Sequence, residues 1–221
     1  MSLPKPYYQD SAVTLYHGDC REIVPLLGRF DLLLTDPPYG IGEGNAKRIA
    51  SRANAAKAKD YGHSEWDACP PDATTIAILR GACDSHILWG GNYFHGLPPS
   101  RAWLVWDKDN GANDFADCEL AWTNLDTAVR KFKWRWAGML QENMQDKDVR
   151  EHPTQKPLAL MAWCLTLAGD DVQTVLDPFA GSGTTGRACK DLGRKCTMIE
   201  REERYCEIAA RRMGQEVLNL T

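Results

Sequence analysis

The chain has 221 residues, of which 43% are hydrophobic and 25% charged, and its formal net charge is −4. These proportions exclude collagen, coiled coil and extended disorder, and the length suits one globular domain covering residues 1–221. Because the net charge is negative, any nucleic-acid surface has to be a local basic patch.

The N-terminal segment lacks the apolar core of a secretory signal, and every apolar run is far shorter than the roughly 18 residues that indicate a membrane span. Eight cysteines are scattered along the chain without a Cys-x-x-Cys pair. We therefore expect reduced thiols, neither a disulfide framework nor a bound metal. These features predict a cytoplasmic protein with no membrane contact.

Strand-like and helix-like segments alternate along the chain, which predicts an α/β fold with a mainly parallel sheet. Strands are expected at Val13–His17, Asp31–Thr35, His86–Trp89, Ala102–Trp106, Cys118–Trp122, Thr174–Leu176 and Lys195–Ile199. A helix should follow Asp19, which begins a D-x-x-E capping box. Further helices are expected from Pro157 to the residue before Gly169, over Thr184–Leu192, and in the charged C-terminal segment.

Two segments depart from this alternation. Residues 41–66 have no periodicity and are predicted to form a mobile basic loop. The bases of this loop are Lys47, Arg48, Arg52, Lys57 and Lys59. Arg130–Trp136 alternates basic with aromatic residues, which predicts either an ordinary amphipathic strand or a DNA-facing surface. The bases of that segment are Arg130, Lys131, Lys133 and Arg135.

A glycine-rich segment, Gly181–Gly186, follows a predicted strand and opens a predicted helix, and Glu200 ends the next strand. Such a turn lets a ligand approach the backbone at a helix N-terminus, and the acidic residue is placed to bind ribose hydroxyls. These residues alone indicate a nucleoside-containing cofactor, with NAD as the default and a ligand-free glycine turn as the alternative.

The tetrapeptide Asp36-Pro37-Pro38-Tyr39 follows a predicted buried strand. The two prolines fix the backbone and lack amide donors, so the Asp36 carboxylate and the Pro37 carbonyl remain as acceptors beside the ring of Tyr39. Such a group suits an exocyclic amino group on a planar ring. A strand-ending turn capped by the aspartate is the alternative.

Three blocks together resemble a known family. The tetrapeptide, His152–Pro157 and Asp177–Thr185 are similar to the S-adenosylmethionine-dependent DNA amino-methyltransferases, which modify adenine N6 or cytosine N4. The tetrapeptide comes first in the chain, as in the permuted (beta) class. The resemblance implies a Rossmann-like fold with helices on both faces of a twisted, mostly parallel sheet, and S-adenosylmethionine as the cofactor.

The resemblance also implies residue roles. The catalytic residues would be Asp36, Pro37, Pro38 and Tyr39, with Tyr39 as a stacking platform for a flipped base. The cofactor-binding residues would be Asp19, Thr154, Lys156, Asp177, Phe179, Ala180, Gly181, Ser182, Gly183, Thr184 and Glu200. Asp19 has the alternative role of a helix N-cap, Lys156 that of a solvated surface lysine, and His152 is expected to be structural.

The function implied is methylation of adenine N6 in double-stranded DNA. Aspartate before Pro-Pro-Tyr favours adenine, and cytosine N4 stays open. An NAD-dependent oxidoreductase would leave the tetrapeptide without a role, and a silent nucleic-acid-binding subunit would be expected to lose one of the motifs. The region for target recognition, residues 125–151, is short, so we expect a homodimer to read the DNA.

Overall fold

The computed structural model describes residues 2–41, 69–111, 116–137, 140–143, 151 and 154–215. The strands are β1 Tyr8–Gln9, β2 Val13–His17, β3 Phe30–Thr35, β4 Cys83–Trp89, β5 Trp103–Asp107, β6 Cys118–Thr123, β7 Arg130–Lys133, β8 Trp136–Ala137, β9 Leu140–Gln141, β10 Thr174–Asp177 and β11 Lys195–Glu200. The helices are α1 Cys20–Ile23, α2 Ala73–Gly81, α3 Leu158–Ala168, α4 Thr184–Asp191 and α5 Glu203–Gly214.

Nine of these strands form one sheet in the order β1-β2-β11-β10-β3-β4-β6-β5-β7, and β8 pairs with β9 separately. The central strands β2, β11, β10, β3 and β4 run parallel to one another. β6 runs antiparallel to both β4 and β5, and β7 is parallel to β5. The prediction of a mixed α/β fold with a mainly parallel sheet is therefore confirmed.

Helices cover both faces of the sheet. Leu32 and Leu34 of β3 belong to a buried cluster that includes residues of α3, α4 and α5. Leu33, which points to the opposite face, belongs to a second cluster with residues of α1 and α2. A strand buried on both faces has to be apolar without alternation, which explains the run of three leucines. No helix within the described ranges is long and apolar enough to cross a membrane.

The seven predicted strands are all present, several of them one to three residues longer than predicted. Helix α2 was missed, although Asp72 caps it by accepting a hydrogen bond from the amide of Thr75 over 2.7 Å. Pro157 occupies the N-cap of α3 instead of its first helical position. The segment Arg130–Trp136 does not form one strand, because the chain leaves the sheet after Lys133 and pairs again at Trp136.

Candidate active site

Four acidic residues predicted to serve the site lie at one edge of the sheet. Asp19 follows β2, Asp36 follows β3, Asp177 ends β10 and Glu200 ends β11. Because these four strands are parallel, their carboxyl ends meet at the same edge, where α/β folds bind ligands. All four residues line a single cavity of about 380 Å³. That volume lies within the ordinary range for a cofactor site.

The glycine loop is held to the end of β11 by its backbone. The amide of Gly181 donates to Oε2 of Glu200 over 2.7 Å, and the amide of Glu202 donates to Oε1 over 2.7 Å. Gly181 and Gly183 adopt φ angles of 49° and 79°, a region that glycine enters without strain. Burial raises the pKa of Glu200, and the backbone N–H groups oppose that rise. A carboxylate has about four acceptor positions, so the oxygens of Glu200 can still accept from a ligand.

Asp177 fastens the start of the glycine loop. Its Oδ1 accepts a hydrogen bond from the hydroxyl of Thr35 over 2.7 Å and another from the amide of Phe179 over 3.2 Å. Burial raises the pKa of Asp177 to about 6, and hydrogen bonds from Thr185 and Thr35 oppose the rise. Its carboxylate therefore joins β3, β10 and the loop beside the cavity.

Gln155 connects the block His152–Pro157 to the glycine loop. The sequence analysis did not predict this role. Oε1 of Gln155 accepts from the hydroxyl of Ser182 over 3.1 Å, and its backbone carbonyl accepts from the indole of Trp136 over 3.0 Å. Gln155 and Thr154 both line the cavity beside Ser182. The glycine loop is also anchored from α5, since Arg212 donates to the hydroxyl of Thr184 over 2.8 Å.

Asp19 is a helix N-cap, the alternative that the capping box indicated. Its Oδ1 accepts from the backbone amide of Arg21 over 2.9 Å, and its Oδ2 accepts from the guanidinium of the same residue over 2.5 Å. The Arg21 side chain holds the pKa of Asp19 below its usual range. Asp19 also lines the cavity, so its contact with a cofactor stays a prediction.

The ring of Tyr39 is packed into the protein. Its hydroxyl donates to Oδ1 of Asp36 over 2.6 Å, and its ring stacks on Tyr93 with 5.0 Å between centroids. Gly90 permits this packing, because a Cβ there would lie 2.0 Å from Cε1 of Tyr39. Tyr93 therefore covers one face of the ring, and the stacking of a flipped base on Tyr39 stays a prediction.

Lys156 is buried, and its side chain is 4% exposed. The ammonium donates to Oδ2 of Asp36 over 2.5 Å and lies 3.0 Å from Oε2 of Glu119. The alternative of a solvated surface lysine is wrong. The ammonium of Lys156 thus pairs with the carboxylate of the tetrapeptide, and Lys156 also lines the cavity, so its contact with the methionine end of a cofactor stays a prediction. The sequence analysis missed Glu119; a charged residue inside a predicted strand, as Glu119 is in β6, is the signal that could have indicated such a partner.

The predicted nucleic-acid residues fall into two sets. In the segment Arg130–Trp136 the aromatic side chains pack inward and the bases face solvent, as the alternation predicted. Lys131 pairs with Asp107, while Lys133 and Arg135 both pair with Asp109. Their charge is therefore partly neutralised within the chain. Lys47, Arg48, Arg52, Lys57 and Lys59 lie outside the described residues, as do His152 and Pro153.

The donor and acceptor set of the cavity fits a nucleoside cofactor. Glu200 offers acceptors to ribose hydroxyls, and the backbone of Phe179–Thr184 surrounds the same space. In the part of the chain that the structure describes, no group of three or more His, Cys, Asp or Glu residues could hold a metal ion. The eight cysteines are free thiols, and six of them are buried.

Comparisons with known proteins agree with this geometry. A family model described as DNA methylase, of the N6/N4 methyltransferase type, matches residues 106–211. The Type II methyltransferase M2.DpnII of Streptococcus pneumoniae is 24% identical over 259 aligned positions, which cover 97% of this chain and 94% of that protein. M2.LlaDCHI of Lactococcus lactis subsp. cremoris is 23% identical, with 96% and 93% covered.

Solved structures share the fold. The complex of M1.HpyAVI with SAM superposes with a TM-score of 0.57 at 23% identity, covering 91% of this chain and all of that chain. The cytosine-N4-specific PvuII DNA methyltransferase gives a TM-score of 0.63 at 16% identity, with 98% and 91% covered. The fold is thus that of the DNA methyltransferases.

The sequence comparisons point more narrowly to the N6/N4 DNA methyltransferases, which the three sequence blocks also resemble. The family model matches residues 106–211, and both Type II methyltransferases align over nearly the whole chain.

Proposed function

We propose that this protein transfers a methyl group from S-adenosylmethionine to the N6 amino group of adenine in double-stranded DNA. The observation that carries the proposal is that Asp36 and Pro38 of the tetrapeptide line the same cavity as the glycine loop and Glu200. A site for an amino group and a site for a nucleoside cofactor therefore adjoin in one space.

The cofactor would be held by Glu200 at its ribose, by the backbone of Phe179–Thr184, and by Thr154 at its methionine end. Asp19, which lines the same cavity, would contact its adenine. When bound, S-adenosylmethionine supplies an electrophilic methyl group on a sulfonium. Two related solved proteins, M1.HpyAVI and TTHA0409 of Thermus thermophilus, are described as complexes with this compound.

Asp36 would act on the target base. The lone pair of an exocyclic amino group is delocalised into the ring, so the nitrogen is a weak nucleophile. The Asp36 carboxylate and the Pro37 carbonyl would accept its two hydrogens and direct the nitrogen lone pair into the cavity. Catalysis of this kind depends on positioning and on preorganised electrostatics, and needs no covalent intermediate on the enzyme.

Adenine is favoured over cytosine because aspartate precedes Pro-Pro-Tyr. The test is to methylate mixed-sequence duplex DNA, digest it to nucleosides and identify the product by mass spectrometry. N6-methyladenine is the expected product. N4-methylcytosine as the main product would contradict the adenine specificity and give the protein the specificity of the PvuII enzyme. A digest without methylated nucleosides would contradict the methyltransferase activity.

The target base would have to leave the duplex, since its amino group is inaccessible within the stack. Tyr39 would then contact the flipped base with the part of its ring that Tyr93 leaves uncovered. Phosphate contacts would come from the basic side chains of β7 and from those of segment 41–66. The basic residues of that segment lie outside the described residues. The cytoplasmic location predicted from the sequence would suit an enzyme that acts on DNA.

We also propose that the single domain works as a homodimer, because residues 125–151 offer little surface for target recognition. A two-fold pair would double the reading surface and require a palindromic or pseudo-palindromic site. Light scattering of the free and DNA-bound protein, together with sequencing of the methylated sites, tests this. A monomer that methylates an asymmetric site would contradict it.

A further inference from the structure

Four side chains, two of them from the tetrapeptide, form one largely buried ionic cluster around the ammonium of Lys156. Lys156 bonds to Asp36 over 2.5 Å and to the hydroxyl of Tyr39 over 3.1 Å. Oε2 of Glu119 lies 3.2 Å from that hydroxyl oxygen, whose proton is directed to Asp36, and pairs with Lys156 over 3.0 Å. Outside these four, Lys108 pairs with Oε1 of Glu119 over 2.6 Å. The five side chains carry two negative and two positive charges, so the cluster is neutral as a whole.

Burying such a cluster is costly unless every charge is paired, and removing one member leaves an unpaired charge in a poorly hydrated place. Lys156 bonds to the carboxylate that the proposed function assigns to the target amino group. Each oxygen of Asp36 accepts one bond from the cluster, Oδ1 from Tyr39 and Oδ2 from Lys156. A carboxylate has about four acceptor positions, so it can still accept from a substrate.

We propose that Lys156 is a positioning residue that keeps Asp36 ionised and fixes the direction of its free acceptor positions, with Glu119 as the second anchor of the ammonium. The proposal rests on the function proposed above. It gives Lys156 a role toward the target base and not toward the cofactor.

The charges around Asp36 define the expected dependence on pH. Burial raises the pKa of Asp36, the positive charge of Lys156 opposes that rise, and Glu119 adds to it. Tyr39 donates to the same carboxylate, and Asp177 lies near enough for its pKa to be raised by the charge of Asp36. Burial lowers the pKa of Lys156, but the two carboxylates outweigh burial and raise it. Loss of the ammonium should therefore move the pKa of Asp36 upward and the acidic limb of the activity profile to higher pH.

The test compares Lys156→Met, Lys156→Arg and Glu119→Gln with the wild type, with Lys195→Met as the control because Lys195 is exposed at the start of β11. For Lys156→Met we expect kcat to fall about a hundredfold while the Kd for S-adenosylhomocysteine stays within a few-fold. The acidic limb should shift upward by about one pH unit or more. Lys156→Arg should recover part of kcat, and Lys195→Met should match the wild type.

A second measurement needs no turnover. The carboxyl carbon of Asp36 can be titrated by NMR in protein labelled at aspartate, with Asp36→Asn assigning the signal. Its pKa should be higher in Lys156→Met, and Glu119→Gln should change it in the opposite direction, since a neighbouring negative charge is lost. If Lys156→Met does not fold, Lys156→Arg and Glu119→Gln carry the same comparison.

The outcomes separate the two proposals. An unchanged Asp36 titration and pH profile in the variants would overturn the positioning role, and so would a loss of cofactor affinity equal to the loss of kcat. A wild type without methyl transfer would overturn the proposed function, while the NMR titration would still decide whether Lys156 controls the ionisation of Asp36.

Discussion

The backbone amide of Gly181 donates to the carboxylate of Glu200 over 2.7 Å, so one side chain both fixes the glycine loop and faces the cavity. The bond spans 19 residues of sequence. It ties the turn after β10 to the end of β11, so the glycine loop and the carboxylate that faces the cavity are held together.

Substitution of Glu200 should weaken cofactor binding. A charge-assisted hydrogen bond contributes about 1.5–3 kcal/mol, so Glu200→Ala should raise the Kd for S-adenosylhomocysteine by about tenfold or more. Glu203→Ala is the control, since Glu203 begins α5 and is exposed. Titration calorimetry measures both. Equal effects at the two positions would contradict the assignment of Glu200 to the ribose.

Substitution of Asp36 should separate catalysis from cofactor binding. Asp36→Ala removes the acceptor for the target amino group, so methyl transfer should fall below detection while the Kd for S-adenosylhomocysteine changes only a few-fold. Asp84→Ala, at an exposed position in β4, is the control and should retain activity. If affinity for the cofactor fell as far as activity, Asp36 would belong to the cofactor site.

Gly90 is predicted to tolerate no side chain. Its φ is 73°, and an added Cβ would lie 2.0 Å from the ring of Tyr39. Gly90→Ala should therefore displace Tyr39, reduce kcat, and lower the free energy of unfolding by about 1–3 kcal/mol. Gly81→Ala is the control, because nothing lies within 4 Å of the Cβ position there. Urea unfolding and kcat measure the two effects, and full activity in Gly90→Ala would contradict the packing.

Asp177 should make stability depend on pH. Its pKa is about 6 in the folded protein, above the ordinary value of 3.8. Between these values the folded state holds a proton that the unfolded state has lost, so stability falls as pH rises from about 4 to 6. In Asp177→Asn this fall should be absent. The free energy of unfolding of the variant relative to wild type should therefore increase over that interval, by at most about 3 kcal/mol.

Asp10 is a control for this prediction, because its pKa is lowered where that of Asp177 is raised. Its pKa is lowered to about 2 by hydrogen bonds from Lys190 and backbone amides, which outweigh the upward effect of burial. Asp10→Asn should lose stability at pH 7, and that loss should shrink as the pH falls toward 2. Urea unfolding at a series of pH values measures both variants. A constant difference between Asp177→Asn and wild type would contradict the elevated pKa.

The basic side chains of Lys131 and Lys133 in β7, and of Arg135 after it, should contribute to DNA affinity without determining the sequence preference. We expect replacement of Lys131, Lys133 and Arg135 by glutamine to lower the slope of log K against log salt by about one for each phosphate that is no longer bound. Pairing with Asp107 and Asp109 reduces the net effect below that of three free bases. Fluorescence anisotropy with duplex DNA measures the slope, and Lys195→Gln is the control. An unchanged slope would show that these three side chains do not contact DNA phosphates.

Local patterns in the sequence determined the order of strands along the chain, the position of the glycine loop and the tetrapeptide. The three leucines of β3 predict a strand buried on both faces, and parallel strands bring the residues at their carboxyl ends together without further information. For that reason Asp36, Asp177 and Glu200 could be placed at one edge from the sequence. Helix α2 was also within reach, because Asp72 and Gly81 mark its ends.

Only the tertiary structure decided which side chains meet there. Lys156 lies 120 residues from Asp36 along the chain, and neither periodicity nor a motif specifies that its ammonium reaches this carboxylate and Glu119. Tyr93 likewise covers Tyr39 because Gly90 leaves room for the ring. Periodicity reports which face of an element is buried, whereas the pairing of buried charges depends on the register and packing of elements that are distant in sequence.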